Sequence, residues 1–178
     1  MQRKTISTEA EDRDRKISAS TVKKDDLKSD CTPAATQHAA LCFRRSVAGE
    51  CEILLVTSRD TGRWVLPKGW PKKTEGGGQT ALREAAEEAG VVGDLVGGFL
   101  GVYGYDKTMP NSPALPCWVA VHPVEVLRLD DAYPELNQRQ RQWFRPDQAA
   151  EAVREPELKS LLATFAPKSI DAPRLGRG

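Results

Sequence analysis

One helix with an acidic edge constrains this chain more than any other feature of its sequence. Helical composition runs over Gln79–Ala89, and Gly90 suits the left-handed position that ends a helix. At about 100° per residue, Glu84, Glu87 and Glu88 share one face of this helix. The apolar residues of the opposite face are Leu82, Ala85, Ala86 and Ala89. The pattern predicts a helix that packs through a thin apolar stripe and presents concentrated negative charge.

The three carboxylates of this helix allow two interpretations. Like charges three and four residues apart on an exposed helix repel by about 0.2–0.5 kcal/mol per pair. A bound cation reverses that penalty, and oxygen ligands that converge from one helix suit a hard cation such as Mg²⁺ or Mn²⁺. The alternative is an acidic surface that is neutralised by neighbouring lysine and arginine side chains. The helix alone leaves both interpretations open.

The chain is predicted to contain one α/β domain between two charged tails. Its 178 residues fit a single domain of ordinary size. Half of residues 1–30 are charged and few are apolar, so we expect a disordered tail over 1–36. The domain is expected over 37–167, and a flexible C-terminal tail is expected over 168–178.

Short apolar segments predict a mixed sheet within this domain. Ala39–Phe43 and Glu52–Thr57 are predicted to form a hairpin around Ser46–Gly49. Helices are predicted over Pro146–Val153 and from Pro156 to about Phe165, because proline suits the first position of a helix. The other predicted strands are Trp64–Leu66, a segment near Leu95–Tyr105, Cys117–Val121 with an extension toward Leu127, and Gln142–Phe144.

Composition argues against several classes of function. The chain has 26 Lys and Arg against 25 Asp and Glu, so it lacks the excess of positive charge that is typical of proteins that bind nucleic acid duplexes or membrane surfaces. It has no apolar run of about 18 residues and no apolar segment near its start, so we expect a cytoplasmic protein. The four cysteines lack C-x-x-C spacing, so neither a zinc site nor a structural disulfide is expected.

A longer spacing surrounds the acidic helix. Gly69 is followed by Glu75, then after seven residues by Arg83, and the glutamates of the helix and Gly90 complete the pattern. This pattern, Gly-x5-Glu-x7-Arg-Glu-apolar-x-Glu-Glu-x-Gly-apolar over residues 69–91, resembles the signature of the Nudix hydrolases without a gap. The resemblance implies an α/β/α sandwich with a mixed sheet, in which residues 69–91, here called the box, form a loop, a helix and a loop. It also implies hydrolysis of a pyrophosphate bond.

The resemblance further implies roles for individual residues. Glu84 and Glu88 match the principal metal ligands, and Glu87 matches a further ligand or the group that activates water. The carbonyl of Lys68 resembles a backbone ligand that many relatives use, and Arg83 is expected to pair with a box carboxylate. The implied catalytic residues are Glu75 in a supporting role, Arg83, Glu84 and Glu87. Mg²⁺ or Mn²⁺ is the implied cofactor, and a carboxylate takes the proton from the attacking water.

Segments outside the box resemble one subgroup, the diphosphoinositol polyphosphate and diadenosine polyphosphate phosphohydrolases. These segments are residues 39–44, 54–59, 63–67 and 141–144. The resemblance implies a small-molecule polyphosphate as the substrate, with Arg59 and Arg141 as phosphate-binding candidates. Thr57 and Ser58 are candidates to donate hydroxyl groups nearby, and Lys68 brings positive charge to the box loop.

Several alternatives stay open at this point. Gly76–Gly78 suits either a helix cap or a backbone cradle for phosphate. Tyr103 and Tyr105 suit either core packing or stacking on an adenine, and Lys72 and Lys73 suit either the site or a solvated surface. The alternative functions are hydrolysis of ADP-ribose or a nucleoside triphosphate, and binding without turnover. The intact carboxylates favour an enzyme.

Overall fold

The structure is a computed structural model, and it describes residues 35–109 and 112–167. The strands are β1 (Ala35–Arg45), β2 (Cys51–Thr57), β3 (Trp64–Val65), β4 (Lys68–Gly69), β5 (Val91–Leu95), β6 (Gly101–Met109), β7 (Ser112–Leu129) and β8 (Arg141–Phe144). The helices are α1 (Gly77–Ala89), α2 (Pro146–Ala152) and α3 (Pro156–Ala163). The predicted tails lie outside the described residues, except for Ala35 and Thr36, which belong to β1.

β1 lies at the centre of one mixed sheet. It pairs antiparallel with β2 and β4 and parallel with β7, in the strand order β3-β2-β1-β7-β5. β6 pairs with β7, and β8 pairs with β2. Parallel neighbours need a long connection, and the chain between β1 and β7 includes the box. β1 begins two residues before the predicted domain boundary, because Ala35 and Thr36 extend the pairing to Cys117 and Trp118.

Both faces of β1 are apolar because helices cover both. Ala40 and Cys42 belong to the apolar cluster on the face of α1, whereas Leu41 and Phe43 belong to the cluster on the face of α2 and α3. The residues that the helices add to these clusters are Ala81, Ala85 and Ala89 from α1, Ala149 and Ala150 from α2, and Leu158 and Leu162 from α3. The layers therefore form the predicted α/β/α sandwich.

The box helix α1 begins at Gly77, two residues before the predicted start. Gly76 is its N-cap, with extended backbone and no side-chain hydrogen bond. At the other end Gly90 has a φ of 64° and its N–H donates to the carbonyl of Ala86 at 3.0 Å, as predicted for a left-handed cap. The prediction that Ala86 packs in the apolar stripe is wrong, because this residue is exposed and Thr80 is buried instead.

The strands differ from the prediction where glycines interrupt the pattern. The predicted segment near Leu95–Tyr105 contains only the last residue of β5 and the first part of β6, and Gly97, with a φ of 72°, lies in the turn between them. β5 was not predicted because Gly93 disfavours strands in general, but here it lets the carbonyl of Glu125 approach closely. β7 runs over Ser112–Leu129, so the predicted extension of Cys117–Val121 toward Leu127 is present, and the strand also begins five residues earlier than predicted. The hairpin, β3 and β8 are confirmed, and α2 and α3 begin at the predicted prolines.

The described cysteines are free thiols. Cys42 and Cys117 are buried and Cys51 is half-buried, while Cys31 lies outside the described residues. Cys42 packs in the apolar cluster beside α1, as a small hydrophobic residue does. Among the helices of the described ranges, none has the length and apolar character to cross a membrane.

Replacing the N-cap glycine tests the helix start. Gly76→Ser adds a hydroxyl that can accept a hydrogen bond from the first turn, and a side chain there meets no atom within 4 Å. We expect the free energy of unfolding to rise by a few tenths of a kcal/mol, or about 1 °C in Tm, measured by scanning calorimetry. Gly62→Ser is the control: its surroundings are equally open but its φ is 65°, so its Tm should fall. Equal shifts in both variants would contradict this account.

Candidate active site

Arg83 joins three carboxylates of the box. It donates through Nε and Nη2 to the two oxygens of Glu75, at 2.9 Å each. Its Nη1 donates to Glu84 at 2.6 Å and to Glu87 at 3.1 Å, and Nη2 also donates to the carbonyl of Trp70 at 2.9 Å. Hydrogen bonds from Arg83 hold the pKa of Glu75 at about 2. The predicted pairing of Arg83 with a box carboxylate is present, and its part in catalysis stays a prediction.

Glu88 is buried, so the alternative of a solvated acidic surface does not describe this position. Its side chain is 8% exposed, and its carboxylate accepts a hydrogen bond from Arg139 and one from the backbone N–H of Lys68 at 3.2 Å. Burial raises the pKa of Glu88 to about 7; the positive charges of Arg139 and Lys68 oppose this shift, and the negative charges of Glu84 and Glu135 add to it. The helix therefore turns one of its three carboxylates inward, toward β4 and a buried arginine.

The short strand β4 lies against the carboxylates of Glu84 and Glu88. A Cβ at Gly69 would overlap the carboxylate of Glu84, so only glycine lets this side chain lie against the strand. The N–H of Lys68, the preceding residue, contacts Glu88. The carbonyl of Lys68 thus belongs to the same two-residue strand that both carboxylates approach. The Lys68 side chain extends over the ring of Tyr105, with its Nζ 5.0 Å from the ring centre, and burial lowers its pKa.

The oxygen atoms that could hold a metal ion belong to the carboxylates of Glu84, Glu87 and Glu88 and to the carbonyl of Lys68. Within residues 35–109 and 112–167, no three side chains of His, Cys, Asp or Glu converge as a metal site as they stand. Arg83 and Arg139 already occupy oxygens of Glu84, Glu87 and Glu88. The set itself fits a hard cation, because it is made of carboxylate oxygens around a backbone that carries no side chain at Gly69.

Arg139 is a residue of this site that sequence reasoning missed. Its guanidinium contacts Glu88, donates to Glu135 at 2.6 Å and donates to the carbonyl of Thr57 at 2.9 Å. Its side chain is 8% exposed, so the charge is almost entirely inside the protein. The one local signal is the spacing of four between Glu135 and Arg139, which is typical of ion pairs within a turn of chain.

Arg141 contacts the end of the box helix. Its Nη1 donates to the carbonyls of Ala89 and Asp130, at 2.7 Å and 3.0 Å, and its guanidinium lies 4.9 Å from the ring centre of Tyr133. Ala89 is the last residue of α1, so this arginine satisfies a free carbonyl at the end of the helix. The structure therefore gives Arg141 a structural role, and its part in phosphate binding stays a prediction.

The predicted phosphate-binding turn lines a cavity of about 420 Å³. Thr57, Ser58 and Arg59 lie on one side of it and residues 136–140 on the other. The Thr57 hydroxyl accepts a hydrogen bond from the backbone N–H of Gln140 at 2.9 Å, and the Ser58 hydroxyl lies 2.6 Å from that of Thr61. Arg59 is the most accessible of these groups, because its side chain is 56% exposed.

The remaining candidates divide between core and surface. Tyr103 is buried, so stacking of this residue on an adenine is excluded, while the hydroxyl of Tyr105 donates to Gln37 at 2.7 Å. The Nζ of Lys72 lies 3.4 Å from a carboxylate oxygen of Glu87, and Lys73 is exposed.

Two of the three glycines at the start of α1 have a packing reason. Gly76 is the N-cap of α1, which agrees with the interpretation of Gly76–Gly78 as a helix cap. A Cβ at Gly77 would come within 2.5 Å of the His38 ring, and a Cβ at Gly78 would meet Leu95. The Nδ1 of His38 in turn lies 3.1 Å from the Nε2 of His122. Glycine therefore allows the start of the helix to lie directly on β1.

The family follows from a direct comparison. Residues 35–165 match the profile of the NUDIX domain, which is more than half of the chain. The chain belongs to the Nudix family. It is 37% identical over 116 residues to diphosphoinositol polyphosphate phosphohydrolase 3-alpha of Homo sapiens, covering 65% of this chain and 66% of that protein. It is 32% identical over 114 residues to Nudix hydrolase 16, mitochondrial, of Arabidopsis thaliana, covering 62% of this chain and 63% of that protein.

The Nudix chain thus spans just under two thirds of the length of these relatives. Solved structures agree with the fold. The binary complex of a C. elegans Ap4A hydrolase superimposes with a TM-score of 0.60 at 22% identity, over 72% of this chain and 93% of that one. A NUDIX hydrolase from Nitrosomonas europaea gives a TM-score of 0.56 at 18% identity, over 72% and 86%. The predicted Nudix sandwich is confirmed, and Nudix hydrolases generally use divalent metals.

Gly69→Ala tests the close approach of Glu84 to β4. The added methyl group overlaps the carboxylate, and because the Glu84 side chain is flexible, the carboxylate moves rather than the strand. We expect a loss of about 1 kcal/mol in the free energy of unfolding, but a loss of more than about tenfold in kcat/KM for whichever pyrophosphate substrate the protein cleaves. Gly98→Ala, where a Cβ meets nothing within 4 Å, is the control and should match the parent. Full activity in Gly69→Ala would contradict this role of the glycine.

The histidine pair predicts a pH dependence of stability. Burial lowers the pKa of both His38 and His122; Glu75 partly offsets this for His38, and the charge of His38 adds to it for His122. Because the unfolded chain, with pKa values near about 6.5, then binds more protons, stability falls as the pH falls through that value. Replacing both by Gln leaves no histidine in the chain. The Tm of this variant should fall less between about pH 7.5 and 5.5 in calorimetry; an equally steep fall would exclude the pair as the cause.

Proposed function

We propose that this chain hydrolyses a pyrophosphate bond in a small phosphorylated metabolite, with Mg²⁺ or Mn²⁺ as cofactor. The observation that carries the proposal is the convergence of Glu84 and Glu88 on the backbone of Lys68 and Gly69. A solvated acidic surface would not bury Glu88 or require glycine opposite Glu84. The arrangement instead resembles a set of oxygen donors gathered for a cation, as the family membership also favours.

The residues of the box have different roles in this proposal, namely metal binding, proton acceptance and positioning. Glu84, Glu88 and the carbonyl of Lys68 would hold the cation, and Glu87 would join them or accept the proton of the attacking water. When bound, a divalent cation neutralises charge on the pyrophosphate and lowers the pKa of water. Arg83 positions Glu84 and Glu87 through one nitrogen, so a single guanidinium orients both carboxylates.

Glu87 is the better candidate for the proton acceptor because of its exposure. Its side chain is 37% exposed, against 13% for Glu84 and 8% for Glu88. Water therefore reaches Glu87 most easily. The Nζ of Lys72 lies 3.4 Å from one carboxylate oxygen of Glu87, at the outer edge of the box.

We propose a diphosphoinositol polyphosphate as the substrate class. Support comes from similarity to two human proteins, the 3-alpha and 3-beta diphosphoinositol polyphosphate phosphohydrolases, which are 37% and 36% identical to the chain over the matched residues. Support also comes from the cavity beside the box, which two arginines line. A ligand with phosphates beyond the scissile pair has cationic partners there.

Diadenosine polyphosphates are the second candidate. A cavity of about 260 Å³ is lined by Gly104, Tyr105 and Trp118, and the Trp118 side chain is half exposed. An exposed indole is able to stack on a nucleobase. ADP-ribose, nucleoside triphosphates and binding without turnover are the further alternatives.

A substrate panel with Glu88→Gln tests the proposal. Diphosphoinositols, diadenosine polyphosphates, ADP-ribose and nucleoside triphosphates are assayed with Mg²⁺, with Mn²⁺ and with a chelator. We expect hydrolysis to require metal, to be fastest for a diphosphoinositol, and to fall by about a hundredfold or more in Glu88→Gln.

The control for this panel is Glu151→Gln, an exposed residue of α2 that carries the same charge. It should retain full activity, and calorimetry checks that both variants are folded. Hydrolysis in the presence of chelator, or an active Glu88→Gln, would refute the mechanism. Calorimetric binding without hydrolysis of any compound would favour a binding module.

A further inference from the structure

Glu135 holds the two arginines that line the larger cavity. Its Oε1 accepts a hydrogen bond from Nη1 of Arg59 at 3.2 Å, and its Oε2 accepts one from Nε of Arg139 at 2.6 Å. Its side chain is 18% exposed, and it does not itself line the cavity. The backbone N–H of Glu135 donates to the carbonyl of Glu87 at 3.1 Å, which ties the residue to the box helix. One carboxylate therefore lies behind both cationic side chains.

Charge at the cavity balances as the side chains stand. Arg59 and Arg139 supply two positive charges, while Glu135 and Glu88 supply two carboxylates that contact them. An anion that enters the cavity meets arginines that already form ion pairs. The free energy of binding that it gains from them is reduced, because it must weaken those pairs. The cavity next to the box is therefore less attractive to anions than its two arginines alone imply.

The two arginines are not held equally. Arg139 is 8% exposed and contacts Glu88, Glu135 and a backbone carbonyl, so it is fixed in place. Arg59 is 56% exposed, and its contacts with Glu135 and Gln138 are 3.2 and 3.4 Å long. Exposed ion pairs of this kind are weak. A phosphate is therefore able to take Arg59 from Glu135 without disturbing Arg139.

We propose that Glu135 is a specificity-determining residue that competes with substrate phosphate for Arg59. The proposal rests on the proposed function for its substrate class, which is a polyphosphate with charge beyond the scissile pyrophosphate. A ligand of that class reaches Arg59 and displaces Glu135 from it, whereas a single pyrophosphate at the box does not need Arg59. Glu135 thereby sets how tightly the extra phosphates are held.

Binding of inorganic tripolyphosphate in a chelating buffer tests this without turnover. Glu135→Gln removes the charge but keeps a side-chain oxygen that can accept the hydrogen bond of Arg139. By calorimetric titration we expect tripolyphosphate to bind about threefold to tenfold more tightly to this variant than to the parent. Glu151→Gln, which removes one exposed charge elsewhere, should leave the affinity for tripolyphosphate unchanged.

The double variant Arg59→Ala, Glu135→Gln decides the mechanism, because the gain should vanish when Arg59 is absent. No gain in Glu135→Gln, no detectable binding in either protein, or a gain that survives without Arg59 would each overturn the proposal. With an active protein, KM for the longest polyphosphate should fall in Glu135→Gln while kcat stays within about twofold. If the substrate panel shows no hydrolysis but the binding results hold, the proposed function fails and the competition at Arg59 stands.

Discussion

The guanidinium of Arg83 is the interaction on which the geometry of the box depends. It spans three carboxylates, one from the loop before α1 and two from the helix itself, and it also reaches the carbonyl of Trp70. Its bidentate contact with Glu75 fixes the plane of the guanidinium, and that plane directs Nη1 to both Glu84 and Glu87. The loop and the helix of the box are therefore held as one unit by charge, since the apolar stripe of α1 consists of small residues that supply little packing.

Arg139 fixes the buried carboxylate of Glu88, as Arg83 fixes the other carboxylates of the box. Arg139 and Glu88 are each 8% exposed, and removal of one partner from such a pair costs about 3–5 kcal/mol because the other charge is left buried. The pair also joins distant parts of the chain, because Arg139 follows β7, Glu88 belongs to α1 and the carbonyl of Thr57 ends β2. The position of Glu88 therefore depends on the fold of the whole sheet, beyond its place in the helix.

The division between local and distant contacts decides how much of the site the sequence could predict. Glu75, Arg83, Glu84, Glu87 and Glu88 lie within one short segment, so the spacing and the helical period place them together. Arg139 lies 51 residues from Glu88 and 82 from Thr57, and no periodicity connects such positions. The groups that Arg139 and Arg141 contact depend on the course of the chain into β8, which is set by pairing with β2.

The same reasoning explains which parts of the fold were predicted. The hairpin, β8, and the starts of α2 and α3 carry local signals, which are short apolar runs or an initial proline, and they are found where expected. β4 is two residues long and β5 contains Gly93, so neither has a pattern of its own. Both exist because a neighbour pairs with them: β1 with β4 and β7 with β5.

A nearly neutral protein becomes suited to anionic substrates through the arrangement of its charges. The chain has a net charge of +1, and around the box the arginines and glutamates contact one another rather than standing apart. In the proposed function, a cation held by the carboxylates would compete with the arginines for the same oxygens, which would weaken these ion pairs and leave the arginines able to contact phosphate. Metal and polyphosphate would then favour each other's binding. The near balance of charge is thus compatible with recognition of a highly phosphorylated molecule. Arginines that pair with glutamates in the free protein would be able to contact phosphate groups when those pairs are weakened.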